Sequence, residues 1–283
     1  MMRKLENLAA PLAILLVSIL LAIDIASWSA GETLDRYARG QPVRVGYALE
    51  SPFTGLDAGR VVTGTEPELL RLALESAGID HIEWVHADFA SLLNELRTGR
   101  IDIICAGMLD TKERRQLAAF SLPTLRVSGG LAIRPGLEVG ARSLHGIAAD
   151  PALRLGVVAG SVEHDSALRA GVPEHRIMIF PDVTSAGSAL NRGEIDTLAL
   201  SYLTLERLQR AGTIQEAELV AVPRDPEGGL ETYTAFAVRL GDDELLATLN
   251  RSLEAIVGTG QHRELLKRFG VPDHNVPEER PSR

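Results

Sequence analysis

Two segments of this chain carry the same residue types at the same spacing, and this repeat limits what the chain can fold into. In each segment a predicted helix, 89–98 or 185–191, ends at a glycine and precedes an apolar strand, 101–106 or 195–200. The shared residues are Ser91, Leu96, Gly99, Ile101 and Asp102 in the first segment and Ser185, Leu190, Gly193, Ile195 and Asp196 in the second. We interpret the segments as parts of two similar α/β lobes. Two unrelated β-α-β units would produce the same order of elements.

Further predicted strands and helices alternate around the repeat. Residues 43–47, 82–85 and 153–158 predict strands, and residues 66–77 predict a helix. Apolar strands that alternate with helices are typical of a parallel sheet covered by helices. We therefore predict an α/β fold of two lobes joined by a two-segment hinge. The predicted ranges are 42–134 plus 234–272 for the first lobe, 135–233 for the second lobe, and 273–283 for a flexible tail.

The N-terminus predicts export. Arg3 and Lys4 precede an apolar run over 8–23, and small residues follow it. This order is typical of a signal peptide, which we assign to residues 1–30, with an uncleaved N-terminal anchor as the alternative. Either interpretation locates the protein in the periplasm or elsewhere outside the cytoplasm.

Composition argues against several functional classes. The formal net charge is −9, whereas nucleic-acid-binding proteins carry a basic face. Cys105 is the single cysteine, so the sequence predicts neither a disulfide framework nor a cysteine-ligated zinc site. The histidines are scattered along the chain, and we predict no metal site and no cofactor.

The segments 102–114 (DIICAGMLDTKER) and 120–123 (FSLP) resemble polar-amino-acid-type, family 3 solute-binding proteins of ABC importers. The resemblance extends over about residues 43–271 and implies the type II fold of periplasmic binding proteins. It also implies that Arg114 pairs with a ligand carboxylate, assisted by Thr111 and nearby main chain. The planar guanidinium of arginine suits bidentate carboxylate recognition. Taken locally, the same residues also fit a helix over 111–117 with a capping threonine and a solvated arginine.

The resemblance also bears on the ligand. Amino-acid binders of this family place an acidic residue for the ligand ammonium where this chain has Ser201, which argues against an ordinary α-amino acid. The ectoine- and hydroxyectoine-binding proteins are a closer match, through 50–53 (ESPF), 159–163 (AGSVE) and the run around Gly107. That resemblance implies Glu50 as the acid for a cyclic cation and Phe53 and Phe89 as aromatic walls.

Two departures from the ectoine binders leave the predicted cage incomplete. Leu109 replaces an aromatic residue, and Phe89 replaces a tyrosine. Purely structural roles also remain open for three of these residues: Phe89 as a core residue, Glu50 as a turn cap, and Glu163 as a partner of a helix dipole rather than a cleft residue.

The sequence therefore predicts a monomeric, non-enzymatic substrate-binding protein that delivers a small zwitterion to an ABC permease. Its second lobe is expected to close over the ligand with Gly160, Ser161 and Ser201. Two alternatives remain. One is an enzyme similar to cyclohexadienyl (arogenate/prephenate) dehydratases with Glu50 or Glu163 as the acid, and the other is a membrane-tethered amino-acid sensor.

Overall fold

The computed structural model describes residues 33–137, 139–222 and 233–277, which form two α/β lobes. The strands are β1 Val43–Tyr47, β2 Gly55–Leu56, β3 Val62–Thr63, β4 Ile82–His86, β5 Ile103–Ile104, β6 Ala119–Phe120, β7 Leu125–Arg126, β8 Gly129–Ile133, β9 Leu155–Val158, β10 Ile177–Phe180, β11 Thr197–Ser201, β12 Glu218–Val222, β13 Tyr233–Thr234 and β14 Ala237–Val238. The helices are α1 Thr33–Ala38, α2 Thr65–Ser76, α3 Leu92–Arg97, α4 Leu144–Ala149, α5 Val162–Arg169, α6 Val183–Asn191, α7 Tyr202–Arg210, α8 Asp243–Ile256 and α9 Gly260–Arg268. The predicted two-lobed α/β fold is confirmed.

Each lobe is built on one five-stranded mixed sheet. The first sheet has the order β4-β1-β5-β14-β6, and the second has the order β10-β9-β11-β8-β12. In both sheets three neighbouring strands are parallel, as the alternation with helices predicts. The remaining strands join antiparallel, β14 beside β5 and β8 beside β11. The predicted parallel sheet is therefore the central part of a mixed one.

The sequence repeat has a physical basis at the start of the central strands. Asp102 accepts hydrogen bonds from Arg44, at 2.9 Å from its backbone N–H and 3.1 Å from its Nε. Asp196 accepts the same pair from Arg154 at 2.9 and 3.1 Å. Each aspartate thus ties the start of one strand to its neighbour in its own lobe.

A glycine in each lobe completes this arrangement. A Cβ atom on Gly46 would come within 2.3 Å of Ile101 Cδ1, and one on Gly156 would come within 2.3 Å of Ile195 Cδ1. The isoleucine of each repeat therefore packs directly on a strand backbone that must lack a side chain. Both lobes use the same packing unit, which two unrelated β-α-β units would not require.

The chain passes between the lobes beside a short antiparallel ribbon, in which β7 pairs with β13. Strand β8 already belongs to the second sheet, so the chain enters the second lobe before Gly129, and the predicted boundary at 134 lies too late. The reason is that β8 pairs antiparallel with β11 and β12, which lie far along the chain. The return to the first lobe falls between Val222 and Ala237, after β12 and before β14.

Both ends of the described chain pack on the first lobe. Helix α1, which the sequence analysis did not predict, contributes Leu34 and Tyr37 to the core around α2, α8 and α9. Residues 273–277 are not a free tail as predicted, because Val276 is buried in this core and Asn275 Nδ2 donates to Arg126 O at 2.7 Å. The predicted signal peptide or anchor, residues 1–30, and the end of the predicted tail, 278–283, lie outside the described residues. Within the three described ranges, no helix has the length and apolar character needed to cross a membrane.

Candidate functional site

A cleft lies between the two lobes, and the space in it that is not filled by atoms, open solvent included, amounts to about 420 Å³. Its lining comes from both lobes: Glu50, Phe53, Phe89, Gly107, Leu109, Arg114, Val127, Val158, Ser161, Val162, Glu163, Leu200 and Ser201. Among the predicted site residues, only Thr111 and Gly160 are outside this lining, and both contact residues that line it. Strand ends and helix starts supply most of the lining, as expected for ligand sites of α/β sheets.

Arg114 is the buried cation of this cleft, with 8 % of its surface exposed. Its Nη1 donates to Leu109 O at 2.8 Å, and its Nη2 donates across the cleft to Gly160 O at 2.9 Å. Its Cζ atom lies 5.6 Å from the centre of the Phe89 ring, which is within the range of a cation–π contact. The guanidinium is therefore held in one orientation by groups of both lobes.

The segment that carries Arg114 is a short 3-10 turn, Arg114–Gln116, and not the predicted helix over 111–117. The buried Thr111 hydroxyl accepts a hydrogen bond from Arg114 N at 3.2 Å. Thr111 therefore shapes the turn that presents Arg114 and does not itself line the cleft. A turn this short is enough to present Arg114 to the cleft, because the side chain is fixed by its hydrogen bonds to Leu109 O and Gly160 O.

Arg115, next in sequence, has a different environment. Its Nε donates to Asp110 Oδ1 at 2.5 Å, and its side chain is 40 % exposed. Its partner Asp110 is buried, and both residues of this ion pair lie outside the cleft lining, which leaves the cleft to Arg114.

A tight turn presents Glu50 and Phe53. Glu50 and Thr54 exchange backbone hydrogen bonds of 2.9 Å, and the Ser51–Pro52 peptide between them is cis. Phe53 is 2 % exposed and belongs to the core of the first lobe, while one part of its ring borders the cleft. Its ring lies against Gly107, where a Cβ would come within 2.5 Å of Phe53 Cγ and where φ is +63°. Only glycine fits this position without strain.

The second lobe reaches the cleft with the start of α5. Gly160, at φ +73°, approaches Ala90 so closely that a Cβ atom would lie 2.9 Å from Ala90 Cα. Ser161 precedes the first residue of α5 and is 9 % exposed. Within the described chain, Ser161 Oγ has no hydrogen-bond partner, although it is shielded from solvent. A buried hydroxyl beside exposed N–H groups of a helix start is suited to an anion. Glu163 lies in the first turn of α5 and borders the cleft.

Ser201 and a residue that the sequence analysis missed, Thr204, connect the second lobe to Glu50. The Ser201 hydroxyl accepts from Thr204 N at 3.1 Å and lies 2.8 Å from Thr204 Oγ1. Thr204 Oγ1 donates to Glu50 Oε1 at 2.6 Å. The Ser201 side chain thus caps α7, and the acidic residue of this region comes from the opposite lobe.

The remaining lining is aliphatic and was also missed. It consists of Val127, Val158, Val162 and Leu200. Nothing in the sequence distinguishes these residues from core residues. All except Val127 lie within two positions of a predicted site residue. Their effect is to surround the charged groups of the cleft with a low-dielectric wall, which strengthens charge pairing there.

Two observations concern metal ligation and the thiol in the described part of the chain. The described ranges contain no group of three or more His, Cys, Asp or Glu side chains arranged to hold a metal ion. Cys105 is buried, and its burial raises the pKa of the thiol well above its ordinary value, so the thiol stays neutral.

Comparison with known proteins yields relatives that cover most of the chain. A probable amino-acid ABC transporter periplasmic-binding protein of Sinorhizobium fredii is 26% identical over 266 residues, which is 92% of this chain and 87% of the relative. The structure of EhuB in complex with hydroxyectoine is similar with a TM-score of 0.77 and 27% identity, over 85% of this chain and 93% of that one.

A second similar structure is an ancestral amino-acid-binding protein that is a precursor of cyclohexadienyl dehydratase. Its TM-score is 0.73 at 22% identity, over 84% of this chain and 99% of that one, and it supports the fold alone. The model of the family described as bacterial extracellular solute-binding proteins, family 3, matches residues 43–272, so this chain belongs to that family.

Proposed function

We propose that this protein is the substrate-binding component of an ABC importer and that its lobes close around a small zwitterionic carboxylate. The observation that carries the proposal is the cleft itself, where Arg114 and Glu50 face one space among apolar side chains of both lobes. A ligand with one carboxylate and one cationic group matches Arg114 and Glu50, and Glu163 is a second acidic residue of the same lining. We further propose that the protein acts outside the cytoplasm and presents its closed form to a membrane permease.

Arg114 and the start of α5 are the proposed carboxylate site. The Arg114 guanidinium, fixed by Leu109 O and Gly160 O, supplies charge and planar donors. Ser161 supplies a hydroxyl whose hydrogen bonds are not used by the described residues. Since these groups belong to different lobes, a bound carboxylate stabilises the closed arrangement more than an open one.

Glu50 is the proposed partner of the ligand's cation. Ser201 occupies the position where amino-acid binders of the family carry an acid, and its hydroxyl contacts Thr204. The carboxylate therefore comes from Glu50 in the first lobe. Phe53 offers part of a ring beside it, whereas Phe89 is already paired with Arg114, so the aromatic cage is smaller than an ectoine site implies. The proposed ligand class is ectoine-like compounds or amino acids.

We favour ligand binding without chemical change over the dehydratase alternative. The relatives above are binding proteins, and the similar ancestral protein is a precursor of the enzyme and itself binds amino acids. A carboxyl with a strongly raised pKa would favour acid catalysis, but Glu66, whose pKa is raised to about 7, is not part of the cleft lining.

A thermal-shift screen of the purified protein tests the proposed function. The compounds are ectoine, hydroxyectoine, the twenty amino acids and betaines, with prephenate and arogenate monitored for turnover. At about 100 times its Kd, a ligand adds about 2.7 kcal/mol, which is roughly 5–10 °C in Tm for a protein of this size. A shift with an amino acid alone would move the ligand class away from ectoines. No shift with any zwitterion, or turnover of prephenate, would contradict the proposal.

A further inference from the structure

Thr204 makes a direct contact between the lobes that neither the family resemblance nor the comparisons assign. It lies in the first turn of α7 in the second lobe, is fully buried, and donates to Glu50 Oε1 of the first lobe at 2.6 Å. A hydroxyl-to-carboxylate hydrogen bond of this length is charge-assisted and stronger than one between neutral groups. Like the hydrogen bond from Arg114 to Gly160 O, this contact joins the two lobes at the cleft.

The direction of the hydrogen bonds follows from what each group can donate. An ionised carboxylate only accepts, so the single proton of Thr204 Oγ1 points at Glu50. The Ser201 hydroxyl, 2.8 Å from Thr204 Oγ1, must then be the donor of that pair. Ser201 Oγ accepts in turn from Thr204 N at 3.1 Å. The result is one oriented series of hydrogen bonds that runs from the start of α7 through Ser201 and Thr204 to the Glu50 carboxylate.

These hydrogen bonds fix the Thr204 side chain in one rotamer. Ser201 caps α7 from an extended backbone position, and Thr204 is held between the cap and the carboxylate. The hydrogen bonds between Ser201 and Thr204 lie within the second lobe and do not require Glu50, so they already restrict this β-branched side chain before the lobes close. Thr204 is therefore organised in advance to receive Glu50.

We propose that Thr204, oriented by Ser201, is a positioning residue that holds the Glu50 carboxylate across the cleft and couples recognition of the ligand's cation to closure of the lobes. The coupling to ligand rests on the proposed function, because it takes Glu50 as the partner of the cation. The contact between the lobes does not depend on the identity of the ligand. Two readouts separate these parts.

The first readout is the distance between the lobes in the full chain without added ligand. Spin labels are attached through Arg97→Cys and His175→Cys, at exposed positions in separate lobes, and Cys105 is buried and protected from labelling. Thr204→Val, which keeps the shape and removes the hydroxyl, is expected to shift the distance distribution toward more open forms. Thr204→Ser, which keeps the hydroxyl, is expected to restore the original distribution.

The matched control is Thr197→Val on β11. Thr197 is also fully buried in the second lobe, but its hydroxyl has no hydrogen-bond partner within the described ranges and lies outside the cleft lining. This control removes a buried hydroxyl without touching the contact between the lobes. If Thr204→Val and Thr197→Val have the same distance distribution as the parent protein, the proposal is overturned.

The second readout is affinity for the compound that gives the largest shift in the screen. Loss of a hydrogen bond to a charged group predicts a roughly 10- to 100-fold higher Kd for Thr204→Val, with a faster off-rate. In a Glu50→Ala background the same change is expected to have little further effect, because Thr204 acts through Glu50. Equal effects in both backgrounds would contradict a positioning role. If the screen finds no ligand, the proposed function fails and the distance readout still decides the role of Thr204.

A folding defect is separated from the proposed effect by two checks. Each variant is compared by circular dichroism and Tm with the parent protein before labelling. Should Thr204→Val not fold, Glu50→Ala removes the acceptor of the same hydrogen bond and is expected to open the lobes in the same way. A folded Glu50→Ala variant with an unchanged distance distribution would overturn the proposal.

Discussion

At the scale of single residues, the neighbouring Arg114 and Arg115 have different surroundings. Arg114 is buried in the cleft and donates to main-chain oxygens of both lobes, whereas Arg115 is partly exposed and pairs with the buried Asp110 outside the cleft lining. A charge inside a low-dielectric cleft has a much larger effect on binding there than a charge outside it. The difference between the two arginines gives a controlled experiment on the proposed carboxylate site.

Arg114→Ala is expected to remove ligand binding, with Kd raised at least about 100-fold because a buried charge pair and its hydrogen bonds are lost. Arg115→Ala is the control and is expected to leave Kd within about threefold, since Arg115 and its partner Asp110 lie outside the cleft lining. The measurement is isothermal titration of the best compound from the screen, with Tm recorded for both folded variants. Normal ligand binding by Arg114→Ala would contradict the proposed carboxylate site.

The sequence predicted most of the charged and aromatic residues of the cleft, because the family motif fixes their positions along the chain. It did not predict that Phe89 stacks near Arg114, since that contact depends on how the 3-10 turn and the start of α3 approach each other. It also missed Thr204, which lies one helical turn after Ser201 and is recognisable only when Glu50 is seen across the cleft. Contacts between lobes join residues far apart in sequence, and no local pattern records them.

At the scale of elements, the start of α2 holds a buried acid beside the ribbon through which the chain passes between lobes. Glu66 is 1 % exposed, and its Oε1 accepts from Thr124 at 2.6 Å and from Thr234 at 3.0 Å. Burial raises the pKa of Glu66 to about 7, although these two hydrogen bonds act to lower it. A carboxyl that loses its proton near neutral pH thus joins the two segments at the hinge.

The raised pKa of Glu66 predicts a pH dependence of stability. Between about pH 4.5 and 7 the folded state keeps a proton that the unfolded state has lost, so the free energy of unfolding falls as pH rises through this window. The pKa difference corresponds to about 3 kcal/mol. Glu66→Gln is expected to reduce the loss of stability between pH 5 and pH 8 by about that amount in urea unfolding. Glu75→Gln, on the exposed face of the same helix, should retain the parent slope. Parallel curves for the parent and Glu66→Gln would contradict the prediction.

The elements themselves were predictable where neighbours in sequence are neighbours in space. The helix, glycine and strand of each repeat form a local unit, and burial of Asp102 is offset by hydrogen bonds from Arg44 and Arg36 that hold its pKa at about 2. Strand β8 was assigned to the wrong lobe because its partners β11 and β12 are distant in sequence and antiparallel. Helix α1 was missed because six residues carry little periodicity, and its packing depends on contacts such as that of Thr33 with Asp242.

At the scale of the whole molecule, two similar lobes enclose one cleft whose charged groups are divided between them. The first lobe supplies Arg114 and Glu50, and the second supplies Glu163 together with Gly160 and Thr204, the hydrogen-bond partners of Arg114 and Glu50. Under the proposed function, a ligand held by both lobes favours the closed arrangement. The internal repeat builds two similar lobes, while the contacts that differ between them build the cleft.

The central claim is that the cleft between the lobes holds a small zwitterion with its carboxylate on Arg114. The most direct test is a crystal structure of the protein with the compound that gives the largest thermal shift. The predicted result is a ligand carboxylate oxygen within about 3 Å of an Arg114 guanidinium nitrogen, with the ligand's cationic group beside Glu50. A ligand bound outside the cleft, or bound in it with its carboxylate away from Arg114, would contradict the claim.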